Sequence, residues 1–411
     1  CSMKLVHVSD THLGHRRWGL PEREIDLYDS FSEVVDIAIR EGAEIILHGG
    51  DMFDRPDPPP QTYIRVYREL SRLRDHGISF FVVAGNHDLP STMKSSPLEF
   101  FGSIGLMNVL SINTDGSRTF TSREGFEVEI LGYSKRVSNR FFEGGYAQKN
   151  DLRRDIIRIA LVHSLTCDPF KTFYGWSDNI CRERGLRSLS DLGERAGMFR
   201  YIALGDFHMP WEGRIRSTPA CYPGSIEALD RGEAFNDAGE FIERSIYVVK
   251  IDPDGVDLRR VKLERTRRWI YIEGSDYKDL ISKIRSIQWS AFKKPPIAVF
   301  FLKKTPTTLE RESVTRELNA LIESKKIFRY DLIVEESSRE GTRIIASSGS
   351  SESIEVPSIE NVLKDILKDH ELADLLSRFI DENIGGKDLL NTLISRRDLL
   401  DKLYNMIKDL R

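Results

Sequence analysis

Lys4-Leu5-Val6-His7-Val8-Ser9-Asp10-Thr11-His12 carries an apolar, β-branched run that stops at a carboxylate and an imidazole. The same arrangement returns along the chain. Glu44–Leu47 leads to Gly50-Asp51, and Phe80–Ala84 leads to Gly85-Asn86-His87-Asp88. Ile156–Val162 leads to His163, and Tyr201–Leu204 leads to Asp206-Phe207-His208. Such runs predict strands, and ligands gather outside the carboxyl ends of strands. Carboxylate, imidazole and amide groups from these ends are expected to converge on one site. That donor mix suits divalent metals of intermediate hardness, such as manganese or iron. The pattern points to a two-metal phosphoesterase.

The chain has 411 residues and a formal net charge of -4. Its length predicts two or more domains. No apolar stretch is long enough to span a bilayer and no signal peptide is evident, so no membrane partner is expected. Cys1-Ser2 ahead of Met3 is expected to be a cloning remnant. Cys167, Cys181 and Cys221 lack zinc-site spacing, and a reduced, intracellular protein of the cytoplasm or nucleoid is expected. Net acidity counts mildly against a nucleic-acid partner, although local charge governs phosphate docking. Three basic groups stand out: Arg65, Arg68, Arg72 and Arg74; Lys135, Arg136 and Arg140; and the dense run Arg259, Arg260, Lys262, Arg265, Arg267 and Arg268. Each is either a solvated face or a phosphate contact.

Residues 3–243 alternate strands with amphipathic helices, which predicts an α/β domain. Ile25, Phe31, Val34, Val35, Ala38 and Ile39 share a helical face that Gly42 closes. Residues 244–336 are expected to be a second, α+β domain. It would open with the hairpin Ser245–Ile251 and Val256–Val261 and continue through strands at Trp269, Ile297 and Arg329, with two helices between them. Residues 337–356 hold many Ser, Glu and Gly and predict a linker. Residues 357–411 predict a helical tail with apolar stripes such as Leu372, Leu375, Leu376, Phe379 and Ile380. So short a tail either folds on itself or awaits a partner.

The order Asp-x-His, Gly-Asp, Gly-Asn-His-Asp, lone His and Gly-x-x-His resembles the calcineurin-like metallophosphoesterase superfamily. Asp10-Thr11-His12-Leu13-Gly14, Gly50-Asp51-Met52-Phe53-Asp54 and Tyr222-Pro223-Gly224-Ser225 are similar to its SbcD branch of DNA double-strand-break repair nucleases. The resemblance implies a two-sheet sandwich flanked by helices, with a small capping domain touching DNA. It implies two Mn2+, with Mg2+ or Fe2+ as substitutes, and hydrolysis of phosphodiesters as a double-strand exonuclease and single-strand endonuclease. It further implies a homodimer and an SbcC-type coiled-coil ATPase bound through the C-terminal helices. By motif match, Asp51 bridges the metals. Asp10, His12 and His208 complete one, and Asn86, His163 and Asp206 the other. His87 is the catalytic acid. Asp88 either orients His87 or caps a turn. The family's Gly-His-x-His stands here as Gly205-Asp206-Phe207-His208. Asp206 therefore either ligates through oxygen or sits behind the ligands. The rivals to the nuclease reading are a phosphoesterase for another substrate and a DNA-end tether with an impaired metal site.

Overall fold

The computed structural model describes residues 2–90, 95–144, 156–252, 255–336 and 341–347. The chain begins with β1 (Met3–Val8), α1 (Pro21–Glu41), β2 (Ile45–His48), α2 (Pro60–Asp75), β3 (Ser79–Val83), α3 (Pro97–Ser103) and β4 (Asn108–Ser111). β5 (Gly116–Thr121), β6 (Glu127–Tyr133), α4 (Asn139–Glu143), β7 (Ile157–His163), α5 (Cys167–Tyr174) and α6 (Asp178–Glu183) follow. Next come β8 (Tyr201–Gly205), β9 (Trp211–Ile215), β10 (Thr218–Tyr222), α7 (Arg231–Ala234), β11 (Ser245–Ile251) and β12 (Val256–Lys262). The last described elements are β13 (Trp269–Gly274), α8 (Tyr277–Ser286), β14 (Ile297–Leu302), α9 (Thr308–Glu323), β15 (Arg329–Glu336) and β16 (Gly341–Ser347).

One sheet has the order β12-β11-β1-β2-β3-β4 and a second β5-β6-β7-β8-β10-β9. Alternation along each strand explains why they stack. Leu5 of β1 and Ile159 and Leu161 of β7 enter the core between the sheets. Val6 and Val8 turn instead to the core shared with α1 and α2. Ala160 and Val162 turn to the core on the outer face of the second sheet. Both sheets are thus apolar on two faces, as parallel strands covered by helices require. The two-sheet sandwich flanked by helices expected from the sequence is the fold observed. α1 begins with Pro21 at its first position and ends at Gly42 in the left-handed conformation. Its buried apolar face starts at Leu27, after the buried Arg23, Glu24 and Asp26; Ile25 is 45% exposed.

The expected second domain starts too early. The hairpin β11–β12 belongs to the first sheet, with Met3 to His7 paired antiparallel to Ile251 to Tyr247. The reason is burial on both faces: Ile246 and Val248 enter the helix-side core and Tyr247, Val249 and Ile251 the inter-sheet core. The division falls near residue 271, with residues 290–297 returning to the first unit. The second unit carries the sheet β13-β14-β15-β16 with α8 and α9. The expected linker is also corrected at 341–347. This β-branched stretch pairs antiparallel with β15 as β16. The remaining linker residues and the helical tail, 357–411, lie outside the described residues. Cys167 and Cys181 form a disulfide with Cα atoms 5.7 Å apart, which corrects the expectation of a fully reduced chain.

Carboxylates pair with five members of the dense basic run, and a hydroxyl accepts from the sixth. Arg259 meets Glu41 at 2.8 Å, Arg265 meets Asp36 at 2.5 Å, and Lys262 meets Glu243 at 3.2 Å. Arg268 also pairs with Glu243, and Arg260 donates to Ser245 Oγ. Arg267 is buried and reaches Asp26 at 2.6 Å. Asp26 accepts in addition from Arg23 at 2.7 Å and Lys294 at 3.0 Å. Burial would raise the Asp26 carboxyl, yet these cations hold it below the usual carboxylate range. Removing one partner of such a network leaves buried charge uncompensated. Asp26→Ala is expected to lower the unfolding free energy by about 3–5 kcal/mol. Denaturant titration checks this, and a loss under about 1 kcal/mol would show that the network does not brace the fold.

Candidate metal centre

Every strand-end cluster arrives at one place in the first unit. The loops after β1 and β2 run side by side: Asp10 N–H donates to Gly50 O at 3.0 Å, and His12 N–H to Asp51 O at 3.1 Å. Asp10 (φ +51°), His12 (φ +41°), Asp51 (φ +51°) and Asp206 (φ +94°) all hold left-handed backbone. Side chains rarely adopt it, and such residues concentrate at functional sites. Their convergence therefore comes from sharp turns beyond the strands, not from strand alternation across positions two apart. Glycines make room. A Cβ on Gly50 would meet His163 Nδ1 at 2.3 Å, and one on Gly85 would meet Asp51 Oδ1 at 2.0 Å.

Three groups of donors result among the described residues: one joins His12, Asp54 and His87, and two share Asp10. Asp10, His12 and His208 offer ligand atoms within 4.8 Å of one another, and so do Asp10, Asp51 and His163. Asp10 is common to both. His163 Nδ1 lies 2.7 Å from Gly49 O, so it donates there and turns Nε2 toward the other donors. That Nε2 faces Asn86 Oδ1 at 3.3 Å, Asp51 Oδ2 at 3.5 Å and Asp206 Oδ1 at 3.7 Å. His208 Nδ1 meets Glu233 Oε1 at 2.6 Å, which leaves its Nε2 3.2 Å from His12 Nε2. His12 Nδ1 is buried without a hydrogen-bond partner.

The electrostatics call for positive charge. Burial would lower the His163 imidazole, but the Asp51 and Asp206 carboxylates beside it push it up to about 10. Burial opposes protonation of His208 too, yet Glu233 and Asp10 raise it to about 9. Burial raises Asp10 to about 6 against the pull of His208 and His163. Burial would also raise Asp51, but His163 and His12 hold it well below the carboxylate range. Protons on two imidazoles thus occupy a place that divalent cations would fill. The donor set of carboxylate oxygens, imidazole nitrogens and one amide oxygen fits such ions.

Asp206 divides its oxygens. Oδ2 accepts from the Leu165 N–H at 3.1 Å and pairs with the Lys135 ammonium, while Oδ1 looks toward His163. Its N–H donates to Asp10 Oδ2 at 3.1 Å. His87 does not join the two donor groups with Asp10. Its N–H donates to Asp51 Oδ1 at 2.8 Å, and Nδ1 lies 2.7 Å from Asp54 O. Asp88 is corrected from a catalytic to a structural residue. Its buried carboxylate accepts from Gly85 N–H and Phe53 N–H, each at 2.9 Å, and from Met52 N–H at 3.2 Å. It caps the loops, the second of its two expected roles. His7, bonded to Tyr201 Oη at 2.8 Å, and His48, bonded to Thr11 Oγ1 at 3.0 Å, are buried structural groups.

Two supporting carboxylates escaped the sequence reading. Asp54 sits in the quoted Gly50-to-Asp54 motif, and its Oδ1 lies 2.7 Å from His15 Nδ1 and 3.8 Å from His12 Nδ1. Glu233 is 25 residues beyond His208 and in no motif, so nothing local marks it. Its backbone oxygen is held by Arg244, a buried side chain that also donates to His208 O at 2.9 Å.

Residues 3–210 match the model of the calcineurin-like phosphoesterases. The DNA double-strand break repair protein Mre11 of Sulfolobus acidocaldarius is 48% identical over 159 residues, which are 38% of each chain. The Mre11 of Thermoplasma acidophilum is 28% identical over 71% of this chain and 74% of its own. That of Methanococcus maripaludis is 26% identical over 90% and 92%. The chain spans just over a third of the length of the Sulfolobus acidocaldarius relative in that match. With half its length matched by the family model and its strand-end clusters drawn together, the chain belongs to the calcineurin-like phosphoesterases.

Proposed function

We propose that the protein is a manganese-dependent DNA nuclease of double-strand-break repair, acting as a double-strand exonuclease and single-strand endonuclease. The observation that carries this is the pair of donor groups sharing Asp10, in a chain similar to Mre11 proteins over most of its length. Asp10, His12 and His208 would hold one ion, and Asn86, His163 and Asp206 the other, with Asp51 between them. Bound there, two divalent ions would polarise the phosphoryl oxygens and clamp an in-line displacement. The remaining work belongs to side chains. Glu233 and Gly49 O keep the ligating nitrogens of His208 and His163 aimed inward. Asp54 O keeps the Nδ1 proton on His87, so a protonated Nε2 is the atom that can give a proton to the leaving oxygen.

A second copy is the proposed partner of α2 and α3. Ile64, Tyr67, Phe100 and Ile104 are 53%, 47%, 48% and 43% exposed there. Such a face suits a self-complementary contact. Sedimentation of Tyr67→Glu tests it, and an unchanged mass would exclude this face. The second unit is proposed to touch DNA backbone, and the tail to bind an SbcC-type coiled-coil ATPase. Undiminished ATPase capture by a chain ending at Ser347 would remove that role.

Manganese-loaded protein is expected to cut linear duplex and circular single-stranded DNA. Hydrolysis of bis-nitrophenyl phosphate alone would favour another phosphoesterase, and DNA binding without cleavage the tether. His87→Ala is expected to keep manganese, seen by anomalous scattering, yet lose at least about 10²-fold in cleavage. Equal loss of metal would contradict the role.

Asp206 and Lys135 together are neutral, as a single imidazole is. Asp206→Ala is expected to lower manganese occupancy at one site and depress cleavage. Asp206→His combined with Lys135→Met is expected to recover more of both than Asp206→His alone, because the ammonium then lacks its carboxylate. Metal titration followed by electron paramagnetic resonance reads this directly. Full occupancy in Asp206→Ala would show that residue 206 is not a ligand.

A further inference from the structure

The most prominent feature beside the centre is aromatic. The chain leaves His163 and enters α5, where Phe170, Phe173 and Tyr174 gather with Trp176 just beyond its end. Phe170 and Trp176 stack with centroids 4.7 Å apart and planes 22° apart. Phe173 lies near-parallel to Phe207, with centroids 5.8 Å apart. Phe207 stands between Asp206 and His208 in the chain, so this aromatic shelf is joined to the segment that carries two of the donors. Yet Phe173 is 36% and Tyr174 52% exposed. The exposure belongs to a braced segment. The Cys167–Cys181 disulfide ties the start of α5 to α6. Trp211 Nε1 donates to Thr172 Oγ1 at 3.0 Å. Gly175 (φ +63°) closes α5 in the left-handed conformation, and Ser177 caps α6. The Arg184 guanidinium lies 5.0 Å over the Trp176 ring.

We propose that Phe173 and Tyr174 form a stacking subsite for a nucleobase of the strand whose phosphate occupies the metal centre. The inference rests on the nuclease reading and deepens it: it names the side chains that would hold a base of the unpaired strand. Two observations favour a base over a protein partner. Phe207, against which Phe173 packs, is the chain neighbour of both Asp206 and His208. Arg184 adds a cation at the shelf's edge, and aromatic rings beside cations accept any base through its π-face. Bases in an intact duplex are already stacked on each other, so the shelf rewards unpaired ones.

The test uses the full chain carrying His87→Ala and loaded with manganese, so that the centre can take a phosphate while binding is read apart from cleavage; this chain is the parent. The probes are a single-stranded oligonucleotide and a set of the same oligonucleotides with one abasic position each. Tyr174→Ala and Phe173→Ala are expected to weaken binding of the intact strand roughly 5- to 100-fold. Tyr174→Phe, which keeps the ring, is expected to bind as the parent does. With the abasic position opposite the shelf, parent and alanine variants are expected to bind alike. A 2-aminopurine at that position is expected to be quenched by the parent and not by Tyr174→Ala. Tyr174 is half exposed, so its alanine variant reports even where Phe173→Ala disturbs packing. Equal loss on intact and abasic strands, no loss at all, or a change of oligomeric state in Tyr174→Ala would overturn the subsite. Parent protein with no affinity for any DNA would overturn the nuclease reading itself.

Discussion

Negative charge gathered in a small volume is the constraint on which the site is built. Asp10, Asp51 and Asp206 crowd around two imidazoles, and the carboxylates keep those imidazoles protonated far above their ordinary range. Like charges at this spacing repel strongly where water is excluded. The arrangement persists because the backbone forces it. Left-handed turns at four acidic and imidazole residues, packed over glycines that leave no room for a Cβ, hold donors where they would not settle unaided. A cation is the natural complement of donors held in this way.

That rigidity comes from groups farther out. Asp88 spends its carboxylate on backbone N–H groups of two different loops, and so joins the segment after β2 to the segment after β3. Arg244 does the same for the far side by bonding the backbone oxygens of His208 and Glu233. Neither residue needs to touch a substrate for the site to depend on it. Their burial without solvent makes each a fixed strut, because an unpaired group there would carry the full cost of desolvation.

Much of this was legible in the sequence because apolar runs ending in Asp, His or Asn are local patterns. The strands that end at the donors, and α1, α8 and α9, follow from periodicity, and the donors follow from position. What was illegible depends on distance in the chain. Ser245–Ile251 has the pattern of any hairpin strand, and nothing in it announces β1 as its neighbour. The partners that neutralise Arg265 and Arg267 lie more than 200 residues earlier, so the run looks free when read alone. Glu233 is invisible for the same reason. Asp88 was ambiguous because a buried carboxylate suits both a ring and a turn, and only the positions of three N–H groups decide between them.

The pairing of β1 with β11 also sets an order of events during synthesis. β1 is the strand that delivers Asp10, and one of its edges has no partner until residues 245–251 exist. At ~5–20 residues per second, the ribosome needs roughly 12–50 s to supply the intervening ~240 residues. Through that interval the open edge of β1 offers unpaired N–H and C=O groups to any neighbouring chain. The contact is among the most non-local the fold contains, and non-local pairing is slow to form. The first carboxylate of the centre therefore belongs to a sheet that is closed only near the end of the domain's synthesis.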